Sequence, residues 1–176
     1  MPDLPKRKPN RLKNYDYSSP GAYFITFCTA ERKKILSEVC VGTDVLGGPH
    51  INLTEYGKIA EKHILNMASF YDNISVDNYI IMPNHIHLLI VVKKQEKWMK
   101  NICGRHGPSE MPVPTDSVIA RFISTLKRFC NKEYGKNVWQ YRSHDHIIRN
   151  EKEFQMIWEY VENNPLKWEE DCFYTK

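Results

Sequence analysis

Cysteine is scarce in this chain and never organised. The five cysteines, Cys28, Cys40, Cys103, Cys130 and Cys172, are scattered, odd in number and nowhere spaced as Cys-x-x-Cys. That pattern excludes a disulfide framework and a zinc knuckle, and it implies a reducing, cytoplasmic setting. Long hydrophobic runs are missing too: none approaches the roughly 20 residues a membrane helix needs, so no membrane partner is expected. The N-terminus is basic but no apolar stretch follows it, so no secretory signal is expected there. Neither sign of charge dominates. A net charge of +4 is compatible with a polyanionic partner without requiring one. No internal repeat and no second domain can be discerned. What remains is 176 residues, 41% hydrophobic and 26% charged, which suits one soluble domain with a substantial core.

Hydrophobic periodicity orders that domain. Residues 1–20 are rich in Pro, Lys, Arg and Asn and read as an extended basic arm carrying Lys6, Arg7, Lys8, Arg11 and Lys13; residues 21–176 form the domain proper. Ala22-Tyr23-Phe24-Ile25-Thr26-Phe27-Cys28 has the aromatic and β-branched content of a strand. The glycine-bearing stretch 39–52 reads as an insertion loop. Thr54 can cap a helix over about 55–70, with Ile59, Ala60, Leu65 and Met67 among its apolar positions. Residues 75–81 form a second strand, Pro83-Asn84 a turn, and 85–92 a third strand returning antiparallel to it. A long loop, 100–117, leads to a helix capped by Thr115 or Asp116, with Ile119, Phe122, Ile123, Leu126, Phe129 and Cys130 as its buried stripe. Arg121, Lys127, Arg128, Lys132 and Lys136 lie along the same segment and read either as a solvated face or as a polyanion contact. A short strand over about 144–149 precedes a last helix over about 151–163, whose buried face is Phe154, Ile157, Trp158 and Val161. The order matches a ferredoxin-like split β-α-β fold, an α+β antiparallel sheet, with one extra C-terminal helix.

The chemistry-bearing feature is His85-Ile86-His87, which opens the apolar run Leu88-Leu89-Ile90-Val91-Val92. Residues two apart on a strand point to the same face, so both imidazoles project side by side with Ile86 on the other face. Such a pair is half of a metal site, or equally a satisfied pair in a core. His144 and His146 alternate in the same way, but no third ligand accompanies them, which favours a structural or nucleic-acid-facing role. Cys103 and His106 could form half of a zinc site, yet no partner pair is visible. His63 reads as a half-buried packing residue. Trp139, Trp158 and Trp168 read as packing before base stacking, although Trp139 sits in a turn that allows either.

Several stretches together resemble the HUH-type single-tyrosine transposases, and within them the REP-associated tyrosine transposases. They are Tyr23-Phe24-Ile25-Thr26-Phe27, Tyr79-Ile80-Ile81-Met82-Pro83-Asn84-His85-Ile86-His87-Leu88-Leu89, Trp139-Gln140 through Asp145-His146-Ile147-Ile148-Arg149-Asn150, and Tyr160-Val161-Glu162-Asn163-Asn164-Pro165. The resemblance runs over about residues 20–168. It implies a ferredoxin-like core and a metal-dependent endonuclease and strand transferase acting on single-stranded DNA, next to a hairpin. A tyrosine would become linked to the 5′-phosphate, leaving a free 3′-hydroxyl. It further implies Tyr160 as nucleophile and His85, His87 and Asn164 as metal ligands. Members of that group occur as dimers and as monomers, so a homodimer stays open.

The residues allow this independently. Tyr160 and Asn164 are four apart on a helix and face the same way. Two imidazoles and an amide oxygen suit Mg²⁺ or Mn²⁺, Mn²⁺ matching imidazole better. Asn164 precedes Pro165, which disfavours helix at Asn164 and leaves Asn163 as the substitute ligand. DNA contacts are expected from Lys6, Arg7, Lys8, Arg121, Lys127, Arg128 and Lys132. The alternative is a non-catalytic nucleic-acid-binding module on a ferredoxin-like fold, with histidines and tyrosine as packing; against it, the strands lack the glycine-aromatic pattern of RNA-binding sheets.

Overall fold

The computed structural model of the chain describes residues 15–40, 50–94 and 117–174. Lys6, Arg7, Lys8, Arg11, Lys13, the Cys103 and His106 pair and the two capping candidates Thr115 and Asp116 lie outside the described residues.

Strands β1 (Gly21–Cys28), β4 (Ile74–Ile81), β5 (His85–Val92) and β6 (His144–Ile148) form one antiparallel sheet in the order β4-β5-β1-β6. Two short strands, β2 (Ser37–Cys40) and β3 (His50–Leu53), pair separately. Helices are α1 (Glu55–Asn66), α2 (Val118–Tyr134) and α3 (Glu151–Asn163), the last followed by a 3-10 segment, Asn164–Glu170. Set aside β2 and β3, and the order and strand adjacency are those of the expected ferredoxin-like α+β fold with its extra C-terminal helix.

Alternation on the strands decides which side each helix takes. Tyr23, Ile25 and Phe27 of β1 and Ile86, Leu88, Ile90 and Val92 of β5 point to one face, where α1 and α2 bury them with Ala60, Ile64, Met67, Ile119, Phe122, Ile123, Leu126 and Cys130. Phe24, Thr26, His85 and His87 take the other face, across which α3 lies over β4 and β5. β4 carries one extra residue, Asp77, between the pairs Val76 with Ile90 and Asn78 with Leu89.

Local signals account for the helix starts. The Thr54 hydroxyl accepts from the Gly57 amide at 3.2 Å, and Asn150 accepts from Glu153 at 2.9 Å. α2 is capped by Ser117, which accepts from Ala120 at 3.1 Å, one position after Asp116 and two after Thr115, the expected caps. Gly135, at φ 68°, closes α2 in the left-handed region that glycine occupies without strain.

Four expectations need correction. The stretch 39–52 is not all loop, since its ends belong to β2 and β3; strands of four residues are too short to show their period. In α1 Leu65 is exposed and Ile64 takes the buried position, a shift of one residue around the helix. In α3 only Val161 is buried, while Phe154, Ile157 and Trp158 are half-exposed; among the described residues no second α-helix flanks α3 on its side of the sheet. Residues 15–20 do not continue as an extended arm: Tyr17 is buried against Tyr23, whose hydroxyl donates to the Ser19 carbonyl at 2.7 Å.

One glycine is required by contact. A Cβ at Gly57 would collide with the Leu36 carbonyl oxygen and press on Leu53, because α1 starts hard against the turn before β2. At Gly135 a Cβ meets nothing within 4 Å, and only the backbone angle opposes substitution. Gly57→Ala should therefore lower stability by about 2–3 kcal/mol and Gly135→Ala by about 1 kcal/mol. Chemical denaturation of the two variants checks this; equal losses would show that the helix start yields without strain.

Candidate active site

The antiparallel register of β1 and β5 sets Thr26 opposite His87 and Cys28 opposite His85. Both imidazoles are fully buried, at 0% and 1% exposure. Their Nε2 atoms face each other at 3.0 Å. Each Nδ1 has its own partner: Thr26 Oγ1 lies 2.7 Å from His87 Nδ1, and Asn84 Oδ1 lies 2.9 Å from His85 Nδ1. The Asn84 amide is oriented by its nitrogen, which donates to the Phe173 carbonyl at 2.8 Å. Its oxygen must then accept from His85, so His85 carries its proton on Nδ1 and presents a lone pair at Nε2. Burial, reinforced by the nearby Arg32 charge, pushes His85 down to about 3. Burial and then His85 hold His87 well below its usual value, against a smaller opposing pull from Asp171. The pair is thus neutral at physiological pH: His87 Nε2–H donates to the Nε2 lone pair of His85, and His87 Nδ1 accepts from the Thr26 hydroxyl. A shift of that proton to Nδ1, facing Thr26, would free both Nε2 atoms as donors of electron pairs.

Tyr160 reaches this pair from α3. Its hydroxyl lies 3.5 Å from His87 Nε2 and donates to Asp171 Oδ2 at 3.2 Å. Its ring meets Phe24 and His87 edge-on, at centroid distances of 5.9 and 5.4 Å, and Phe24 stacks on His87 at 5.0 Å. Tyr160 is still 40% exposed, so the phenol bridges the buried pair and solvent. Burial first, and then the Asp171 carboxylate, push its pKa up to about 12. The phenol by itself is a poor nucleophile at neutral pH and needs its proton taken or its charge balanced.

Asn164 is buried and sits where α3 passes into the 3-10 segment, still at helical angles of φ −58° and ψ −39° despite the following proline. Its nitrogen donates to Asp171 Oδ2 at 3.1 Å, while its side-chain oxygen is buried without a partner among the described residues. Asn163 is exposed, and its side chain donates to the Glu159 carbonyl on its own helix at 2.8 Å.

Asp171 is the residue the sequence did not single out. His85, His87 and Asp171 each offer a ligand atom, all within 4.8 Å of one another, and Asp171 Oδ2 lies 4.0 Å from His85 Nε2. Two imidazoles and a carboxylate that converge in this way, beside the residue whose amide oxygen is orphaned, could hold a divalent cation. The segment bearing Asp171 is fastened over the site. Phe173 packs on His85 at 4.7 Å, and Arg32 donates to the Cys172 carbonyl at 3.2 Å and lies 5.4 Å over the Phe173 ring. Arg32 and its neighbour Glu31 hold left-handed backbone angles, φ 54° and 56°, a strained turn that points Arg32 at this segment. No sequence signal marks Asp171, since it follows Asn164 by seven residues in a segment without periodicity.

The other candidates separate. His146 is exposed and paired with Glu153 at 2.7 Å, and His144 is exposed. His63 is half-buried and hydrogen-bonded to Glu133 at 2.9 Å. Trp139 is buried against Phe27, and Trp168 packs beside His85. Arg121, Arg128 and Lys132 are exposed on α2. Lys127 is not: it lies over the Phe27 ring and donates to the Gln140 and Arg142 carbonyls at 2.9 and 3.4 Å, and burial pulls it down to about 8. Its ammonium ties down the turn before β6.

No family model matches the chain. An uncharacterized protein of Haemophilus influenzae is 30% identical over 175 residues, which cover 96% of this chain and 93% of that one. A solved structure of a REP-associated tyrosine transposase bound to a REP hairpin is similar at TM-score 0.57 and 17% identity, over 90% of this chain and 73% of that one. The chain belongs to one family with the Haemophilus influenzae protein, and its fold is that of the REP-associated tyrosine transposase.

Proposed function

We propose that this protein is a metal-dependent enzyme that cuts and rejoins single-stranded DNA through a 5′-phosphotyrosine link to Tyr160. The observation that carries this reading is the phenol oxygen of Tyr160 held 3.5 Å from one of two buried, converging imidazoles. The hairpin bound by the structural relative supports a nucleic-acid substrate.

The residues assign themselves to steps. His85 and His87 through Nε2, with Asp171 and the orphaned oxygen of Asn164, would hold Mg²⁺ or Mn²⁺. When bound, the cation supplies Lewis-acid polarisation of the phosphate and charge balance for the leaving oxygen. Thr26 and Asn84 fix the rings from behind. Tyr160 Oη attacks phosphorus while its proton passes to Asp171 Oδ2, which already accepts it in a hydrogen bond. The bond from phosphorus to the 3′-oxygen breaks, and that oxygen leaves with its electron pair and takes a proton from water. The products are the 5′-phosphotyrosine and a free 3′-hydroxyl; attack by such a hydroxyl reverses the step and joins strands. Because Phe173 covers His85, the incoming strand must displace that ring to bring a phosphate to the imidazoles.

Tyr160→Phe keeps the ring packed on Phe24 and His87 and removes only the nucleophile. Adduct formation on a single-stranded oligonucleotide with Mn²⁺ should fall by at least about a thousandfold on a denaturing gel, with DNA affinity within about twofold. An adduct forming at the wild-type rate would mean that another residue attacks.

His85→Ala combined with His87→Ala should abolish Mn²⁺ binding in calorimetry together with the adduct. Thr26→Val, which removes only the hydroxyl behind His87, should weaken Mn²⁺ about tenfold. Full Mn²⁺ affinity in the double variant would sink the metal assignment.

Substrate form gives an independent check. A phosphate must enter between α3 and the sheet, which a flexible strand allows and a regular duplex does not. One sequence offered as single strand, hairpin with a single-stranded flank, and perfect duplex should be cut in the first two forms and poorly in the third. Equal rates on all three would favour a general duplex nuclease.

A further inference from the structure

We propose that the cavity between α2 and the end of β5 is a second nucleic-acid site, which holds an unpaired nucleotide of the same strand with its phosphates on Arg121, Arg128, Lys93 and Lys94 and its base on Phe70. The proposal rests on the nucleic-acid reading above and extends it to a place remote from the chemistry. His85 opens β5 and Lys93 follows it, eight positions along an extended strand, roughly 26 Å at about 3.3 Å per residue. The histidines face α3, whereas the cavity lies among α2, the residues before β1 and β4 and those after β5.

The cavity measures about 860 Å³. Among the described residues its lining includes the four cations and no carboxylate. Among the described residues none of the four is paired with an acid. Cations gathered round one void repel one another, and a polyanion relieves that. The N-terminal end of α2 adds to the positive potential, since Val118, its first residue, lines the cavity. The aromatic component is equally specific. Phe70 is 59% exposed, although its ring rests on Phe129 at 5.1 Å, and Arg128 covers Phe129 at 5.6 Å. A ring backed on one side and open on the other, next to guanidinium groups, is the arrangement that stacks an unpaired base and grips its phosphates. A neutral apolar ligand would leave the charges unanswered, and a paired stem would offer no free base to Phe70.

The test uses Tyr160→Phe protein, so that DNA stays uncut, and fluorescence anisotropy with a labelled, unstructured oligonucleotide. Arg121→Ala with Arg128→Ala should weaken binding at least tenfold and reduce the slope of log affinity against log salt by about 1.4. Phe70→Ala should weaken it about tenfold with the slope unchanged, and Phe70→Trp should restore it. Lys58→Ala with Lys152→Ala, which removes two charges from other faces, should leave affinity within about twofold. Wild-type affinity in the Arg121/Arg128 and Phe70 variants would overturn the proposal. Unchanged affinity with a lowered melting temperature would mean that the cavity is filled by the chain itself, and would overturn it too. So would a free mononucleotide binding as tightly as the oligonucleotide, or equal losses in the Lys58/Lys152 control. Failure of the wild-type enzyme to form a covalent adduct, with these binding differences intact, would reject the cleavage reading and leave this one standing.

Discussion

Antiparallel pairing holds Thr26 against His87 and Cys28 against His85, and the rest of the site follows from that register. A slip of one residue would turn Ile86 and Leu88 away from the core and carry both histidines into it. The hydrophobic demand of the α1 and α2 side therefore fixes the position of the polar pair on the α3 side. Thr26 can support His87 because the cross-strand neighbour of a residue lies closer than any other side chain on its face.

The two faces of the sheet are covered in different ways. One is dry, packed by two helices whose apolar stripes interlock with Tyr23, Phe27, Leu88 and Ile90. The other is covered by a lone helix and a short C-terminal segment, and what it hides is polar. Burying two neutral imidazoles is tolerable because each Nδ1 is satisfied by Thr26 or Asn84. The Nε2 atoms turn toward each other and share a hydrogen bond, and the side-chain oxygen of Asn164 is buried without a partner among the described residues. Support of each ring from behind would hold both imidazoles in place for an ion, were one bound.

The basic residues of α2 divide by depth. Lys127, on the side facing the sheet, spends its charge on the carbonyls of Gln140 and Arg142. That anchors the turn feeding β6, whose pairing with β1 sets His144 beside Thr26. Arg121 and Arg128, on the outer side, have no such duty and face the cavity beside Phe70. A single step along the helix, about 100° of rotation, separates half-buried Lys127 from exposed Arg128.

The sheet, its three helices and the shared face of His85 and His87 were legible in the sequence, because their patterns run over five residues or more. Thr54 could be read as a cap because a cap acts on amides two or three positions away. Strands β2 and β3 were not legible, being too short to show a period. Nor was the role of Lys127, because composition does not say which side of a charged helix meets the sheet. Tyr160 and Asn164 could be placed on one helix face by counting, but only packing brings that face to His87. Asp171 belongs to the tertiary structure alone. It reaches His85 because the chain turns back after the 3-10 segment and Arg32, from a strained turn far away in sequence, holds that return in place. Local periodicity determined the elements and which side chains share a face; closure between residues 85, 160 and 171 depends on contacts across the whole chain, which no local pattern encodes.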